Sequence, residues 1–466
     1  MAQGPRVAVI GLDCGTPQLL FDRLADEIPN INALMQRGMH GELASITPPI
    51  TIPAWACAMS GKTPGELAIY GMRNRKDTTY EGLSIATSLA VKEPQVWDVL
   101  GKRGLKSLLI GVPPGYPPRP LDGWRVSCFL TPPSADTFTY PTELGAEVAD
   151  ILGGQEYIFD IPNFREQGFE HVHDQLYKMT ERRFALARSL LKTKPWDFFM
   201  LVEMATDRLH HVFWHFFDPA HPKYEPGNKF ETAFQDYYRF LDGQVGELLE
   251  ALPADAVTIL MSDHGARPMV GGVCFNDWLM QEGYLAMTEP VTQQTPIAKA
   301  PIDWSKTMAW GDGGYYGRLF INLKGREPQG LVDPGRYESV RDEMIERLEK
   351  MAGPDGASLG TKVYKPQDVY PEVRGVAPDL IVYFGDLEWR SVGAVKAGMV
   401  ADVFTYENDT GPDGANHDRF GVFAMAGAPG QPLGRQEGLR LIDVGPTILK
   451  LFDVEPLEGA QGRSLL

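Results

Sequence analysis

The chain is 466 residues long, 43% hydrophobic and 23% charged, which suits a globular protein with a sizeable buried core. Its formal net charge of −17 argues against nonspecific binding to nucleic acid polymers or anionic membrane surfaces, since both depend on clustered Lys and Arg. No apolar stretch approaches the roughly 18 uninterrupted residues of a membrane span, so a soluble protein without membrane attachment is expected.

A small anionic substrate remains compatible with this charge, because bound divalent cations dominate their local field. The first five residues run straight into an apolar segment, with no basic region, h-region or cleavage site, and the cytoplasm is the expected compartment. Cys14, Cys57, Cys128 and Cys274 are widely spaced and form no C-x-x-C pair, which argues against a disulfide framework and a thiolate zinc site. Reduced, packed thiols are expected.

In chain order, residues 6–12 form a continuous apolar run of the kind expected for a parallel strand covered on both faces, and Asp13 follows at its carboxyl end. Residues 47–61 read as a rigid loop entering a short helix: Pro53 suits the first turn, where its missing N–H has no intrahelical partner, and Gly61 suits the stop. Thr51 then falls at or just before the helix N-terminus, where free N–H groups and the helix dipole favour an anion. Further strand-like runs cover residues 107–112, 197–202, 257–261, 380–384 and 422–426, and helical segments cover 181–191, 230–252, 337–351 and 442–452. This alternation predicts one α/β domain over residues 1–466, a mostly parallel sheet sandwiched by helices. The Pro-, Gly- and aromatic-rich stretch 113–193 reads as an inserted cap, and 266–317 as an irregular lid region.

The chemistry-bearing residues sit where such a sheet collects ligands, beyond the carboxyl ends of its strands. Asp207 and His211 are four residues apart, so a helical turn points them the same way while His210 points elsewhere. His215, one turn further on, reads as a structural histidine in an aromatic stretch. Asp263 and His264 end the strand at 257–261, with Gly265 allowing a sharp turn. His417 lies in a polar loop before the last apolar strand. Together with Asp13 these groups could hold two divalent metals beside the hydroxyl of Thr51. Alone, Thr51 would read as a helix cap; its partners favour a nucleophile, since a nearby metal lowers a hydroxyl's pKa without a general base.

The chain resembles the alkaline phosphatase superfamily, in its branch of type I phosphodiesterases, nucleotide pyrophosphatases and related bacterial phosphohydrolases and phosphomutases. The resemblance rests on Gly11-Leu12-Asp13, on Thr51-Ile52-Pro53-Ala54-Trp55 with Ser60 to Gly65, on Asp207-Arg208-Leu209-His210-His211 and on Ser262-Asp263-His264-Gly265. It extends through residues 318–326, 377–381 and 443–449, nearly the whole chain. It implies one metal on Asp207, His211 and His417, a second on Asp13, Asp263 and His264, and Thr51 bridging toward the second. Zinc is the implied metal, with manganese or iron as alternatives. The implied reaction on a small phosphorylated substrate passes through a phosphothreonine and favours diesters or pyrophosphates, with a monoesterase or phosphomutase as alternatives. A metal-stabilised binding protein without turnover is the reading from another class. A sulfatase is disfavoured because Thr51 stands where a Cys or Ser would be oxidised. The chain departs from the pattern at Met72, where nucleotide pyrophosphatases carry a phosphate-contacting Asn; Asn74, Arg73 or Arg75 are the candidate replacements.

Overall fold

The computed structural model describes residues 5–396, 402–408 and 411–466. All six residues of β1 (Val7–Leu12) are buried, as a strand covered on both faces requires. It pairs in parallel with β6 (Phe198–Glu203) on one side and β7 (Val257–Met261) on the other. Beyond β6 the parallel set continues through β3 (Ser107–Ile110) and β4 (Gly123–Val126), closing with the short antiparallel β5 (Thr139–Tyr140). Beyond β7, β8 (Phe420–Ala426) and β2 (Met39–Ala44) add antiparallel pairings. The short β9 (Gly434–Arg435) and β10 (Leu439–Arg440) edge the sheet along β2. The expected mostly parallel sheet flanked by helices is therefore present.

Helices cover this sheet through apolar stripes, beginning with α1 (Pro29–Gln36), which buries Ile31, Leu34 and Met35. α2 (Thr51–Ser60) is buried over its whole length and stops at Gly61, whose left-handed φ of 68° terminates the helix as anticipated. α3 (Phe169–Thr193) presents Val172, Leu176, Met179 and Leu190 at helical spacing and packs with α4 (Ala205–Phe217) and α5 (Ala233–Ala251). Among the described residues no helix is long and apolar enough to cross a membrane. The four cysteines are buried thiols.

The described residues divide into two units: residues 5–72, 86–266 and 417–466 build the first, and residues 73–85, 267–396, 402–408 and 411–416 the second. In the second, an antiparallel sheet runs in the order Ala309–Asp312, Gly317–Ile321, Leu380–Tyr383, Lys362–Tyr364, over a core that includes Phe275, Leu319, Met344 and Phe384. Leu380–Tyr383 thus lies in a different sheet from the other expected strands, because a short buried apolar run has the same pattern in either setting. Residues 113–193 contribute β4, β5 and α3 to the first unit, and residues 267–317 belong to the second.

Beneath the carboxyl end of β6, Arg183 of α3 donates to Glu203 Oε1 at 3.0 Å, to the Tyr157 hydroxyl at 3.0 Å, and to the carbonyls of Val202, Ile158 and Phe159. Both charged side chains of the pair are essentially inaccessible. Arg183→Met leaves the Glu203 carboxylate buried without its counter-charge and is expected to cost about 3–5 kcal/mol in a urea unfolding curve. Pairing it with Glu203→Gln should recover part of that loss; an unchanged midpoint in the single variant would contradict the argument.

Candidate active site

Each predicted ligand segment ends at the same edge of the sheet. Asp13 follows β1 directly, α4 begins two residues after β6, and Asp263 comes two residues after β7. His417 precedes β8, and because β8 runs antiparallel to β7 its start lies beside the carboxyl end of β7. Backbone and hydroxyl contacts lock these ends together. The Asp13 amide donates to the Glu203 carbonyl at 3.0 Å, and Thr206 Oγ1 donates to the Asp13 carbonyl at 2.6 Å. Ser262 Oγ donates to the Gly15 carbonyl and accepts from the Val422 amide.

The side chains then converge. Asp207 Oδ1 is 3.2 Å from His211 Nε2 and 3.7 Å from His417 Nε2, so Asp207, His211 and His417 form one donor group. His264 Nε2 is 3.2 Å from Asp263 Oδ2 and 3.8 Å from Asp13 Oδ1. The His264 and His417 rings stack at 3.8 Å, which joins the two sets. Thr51 is the first residue of α2, the N-cap position being Ile50, and it places Oγ1 3.2 Å from His264 Nε2. The hydroxyl therefore faces the cluster instead of serving as a cap.

The donor set fits divalent cations on its own chemistry. Asp13 Oδ1, Asp207 Oδ1 and Asp263 Oδ2 are buried and have no hydrogen-bond partner among the described residues, an arrangement that is unfavourable unless a cation satisfies them. Burial, then the neighbouring Asp207, pushes the Asp13 carboxyl well above its ordinary range, and burial with Asp13 does the same to Asp263. Burial also opposes ionisation of Asp207, but His211 and Arg208 outweigh it and hold that carboxyl low. Burial pushes His264 down to about 4 and, with His264 and His211 nearby, holds His417 well below its usual value, so both rings are neutral donors near neutral pH. The same burial, then Asp207, raises the Cys14 thiol.

These shifts fix a sign for pH dependence. Asp13 and Asp263 titrate higher in the folded metal-free chain than in the unfolded one, so the stability they add at acid pH is lost as pH rises through their raised values. His264 titrates lower, from 6.5 to about 4, so its contribution is present above 6.5 and is lost as pH falls toward 4. A cation offsets the carboxylate penalty and competes with protons for the imidazoles, so both effects make metal stabilisation grow with pH. The drop in Tm caused by chelation should be larger at pH 8 than at pH 5; a pH-independent drop would contradict this.

Several residues to which the sequence motifs assign no role support the candidate site, and Asp160 lies outside those motifs altogether. Trp55 lies one helical turn beyond Thr51 and its Nε1 donates to Asp13 Oδ2 at 2.8 Å. Gly11 makes room for that indole: a Cβ there would sit 2.6 Å from Trp55 Cη2. Arg208 donates to Asp207 Oδ2 and grips Asp160 through Nε at 2.7 Å and Nη2 at 2.8 Å. The four-residue spacing of Thr51 and Trp55 was the available signal; nothing local announces Asp160. His210 points away as expected, bonding the Tyr238 hydroxyl at 2.8 Å and stacking on Phe234. His215 packs against Phe216 and Phe169. Arg73 and Asn74 lie on the second unit's strand Arg73–Arg75, paired with Leu83–Ile85, where the Arg73 carbonyl accepts from Arg318 and Arg75 is ion-paired to Glu327.

The model of the type I phosphodiesterase / nucleotide pyrophosphatase family matches residues 7–413. The chain belongs to that family. This type I phosphodiesterase family member shares its fold with murine ectonucleotide pyrophosphatase / phosphodiesterase 5, at 13% identity and a TM-score of 0.56, over 97% of this chain and 96% of that one. An inactive form of the murine protein in complex with AMP is similar to the same degree, at 12% identity and a TM-score of 0.56 over 98% and 96% of the two chains. Phosphonoacetate hydrolase from Sinorhizobium meliloti 1021, in complex with phosphonoacetate, matches at 14% identity and a TM-score of 0.61 over 96% of each chain. No curated protein matches the sequence. The family places this phosphodiesterase relative among metal-dependent phosphohydrolases, in the alkaline phosphatase superfamily.

Proposed function

We propose that this chain hydrolyses a small phosphoric diester or pyrophosphate through a covalent phosphothreonine at Thr51, with two divalent cations, zinc by donor chemistry, held by the six convergent side chains. Asp207, His211 and His417 would hold one ion, and Asp13, Asp263 and His264 the other. Bound cations supply charge neutralisation for the transferring phosphoryl group and lower the pKa of an adjacent hydroxyl. The observation that carries the reading is Thr51 itself: its Oγ1 faces His264 inside the donor cluster and at a helix start, where N–H groups favour phosphoryl oxygens.

The chain's residues then act in two displacements. Thr51 Oγ1 attacks phosphorus, the ester oxygen departs, and water attacks the phosphothreonine to free Thr51 and release phosphate or its monoester. Trp55 and Arg208 hold Asp13 and Asp207 in place through the second oxygen of each carboxylate, leaving Oδ1 of each for a cation. That the neighbouring folds hold AMP and phosphonoacetate supports a small phosphorylated substrate for this one. The reading is tested with a panel of aryl phosphate mono- and diesters, alongside metal analysis. Turnover fastest on diesters supports it; bound metal with no turnover on any ester would favour the binding-protein reading instead.

A further inference from the structure

Cys14 stands between the strand end that carries Asp13 and the turn that follows. Its side chain is wholly buried, and its backbone takes a left-handed φ of 64°, a conformation that is unfavourable for residues with a Cβ. Sγ lies with donor atoms of His264 and His417, all three within 4.8 Å of one another, a group able to hold an ion. The Cys14 amide donates to Asp263 Oδ1 at 3.2 Å, and Sγ donates to the Gly265 carbonyl at 3.4 Å, so the residue is tied to the segment that carries two of the proposed ligands.

A second observation also points to a cation at this place. Asp13 Oδ1 and Asp263 Oδ2 lack hydrogen-bond partners among the described residues, belong to side chains with no exposed surface, and approach His264 Nε2 at 3.8 and 3.2 Å. The thiol and the unsatisfied oxygens therefore gather around one imidazole that belongs to the metal set.

We propose that Cys14 supplies a sulfur donor to this metal centre, making it a mixed nitrogen, oxygen and sulfur site selective for thiophilic divalent ions over magnesium and manganese. The Sγ–H bond is exchanged for an Sγ–metal bond, the proton leaves to solvent, and no oxidation state changes. The inference rests on the two-cation reading above and adds to it a donor outside the six-residue set.

The test loads the full chain with cobalt(II) and records its absorption spectrum. The native chain is expected to show visible d–d bands together with a near-ultraviolet sulfur-to-cobalt charge-transfer band. Cys14→Ser should keep the d–d bands and lose the charge-transfer band, whereas Cys57→Ser should keep both. In competition, the preference for cadmium over manganese should fall about 10-fold or more in Cys14→Ser. Cys14→Ala, which keeps the same backbone demand, serves if the serine variant fails to fold. Cobalt bound with d–d bands but no charge-transfer band in the native chain overturns the sulfur donor and leaves the two-cation reading standing. Survival of the charge-transfer band in both Cys14 variants overturns the assignment to Cys14. Failure to bind any cobalt, zinc or manganese overturns both readings together.

Discussion

Thr51→Ala is expected to reduce turnover roughly ten-thousand-fold or more while the protein stays folded and keeps its metal. In the proposed reaction the substitution removes the atom that would form the bond to phosphorus, and what would remain is the stabilisation that bound cations and backbone N–H groups give to a direct attack by water. Stability should change little, because the Thr51 side chain caps no helix and its Oγ1 touches only the His264 ring among the described contacts. Thr51→Ser restores an oxygen at the same place and should recover measurable activity. Rates on the best aryl diester and metal content by mass spectrometry decide the matter: activity of Thr51→Ala near the native level would end the covalent route.

His211→Ala and Asp263→Ala attack the other half of the proposal, and each should lower bound metal by about one ion per chain. His211 belongs to the group with Asp207 and His417, and Asp263 faces His264 at 3.2 Å, so the two variants should empty different positions. The consequences for the metal-free fold differ as well. Removing Asp263 removes a carboxylate whose ionisation burial already opposes, so Asp263→Ala should be less sensitive to chelation than the native chain at neutral pH. His211→Ala takes away a partner of Asp207 and leaves that carboxylate with Arg208, so its stability should fall even without metal. Full metal content in both variants would show that these side chains hold no ion.

Much of the candidate site is legible in local chemistry. A strand buried on both faces announces itself as an unbroken apolar run, and the polar residue that ends it marks a sheet edge; Asp13 and Asp263 both follow that pattern. A spacing of four residues on a helix put Asp207 and His211 on one face, and Pro53 with Gly61 bracketed the helix that begins at Thr51. Other features had no local signature. Asp160 reaches Arg208 from a loop far back in the chain, and the carboxylate of a loop aspartate reads as solvated until its partner is known. Cys14 is the buried, reduced thiol that the sequence leads one to expect, but its neighbours His264 and His417 come from distant segments, so a lone cysteine gives no pattern that places it beside them.

The sequence did not set every boundary, since the helix expected over residues 181–191 runs Phe169–Thr193. By itself it determined the kinds of most elements, the polar residues that follow the central strands and the order in which donor groups occur. Those follow from periodicity, turn chemistry and helix termini, all of which act within a few residues. Only the tertiary structure decided that Leu380–Tyr383 joins an antiparallel sheet of the second unit, and that β8 reverses direction to bring His417 beside His264. It also decided that Gly11 is small because the Trp55 indole must pass over it to reach Asp13. These are contacts between residues far apart in the chain, whose side-chain patterns are the same whichever partner they meet, so the pairing emerges only when the whole core packs.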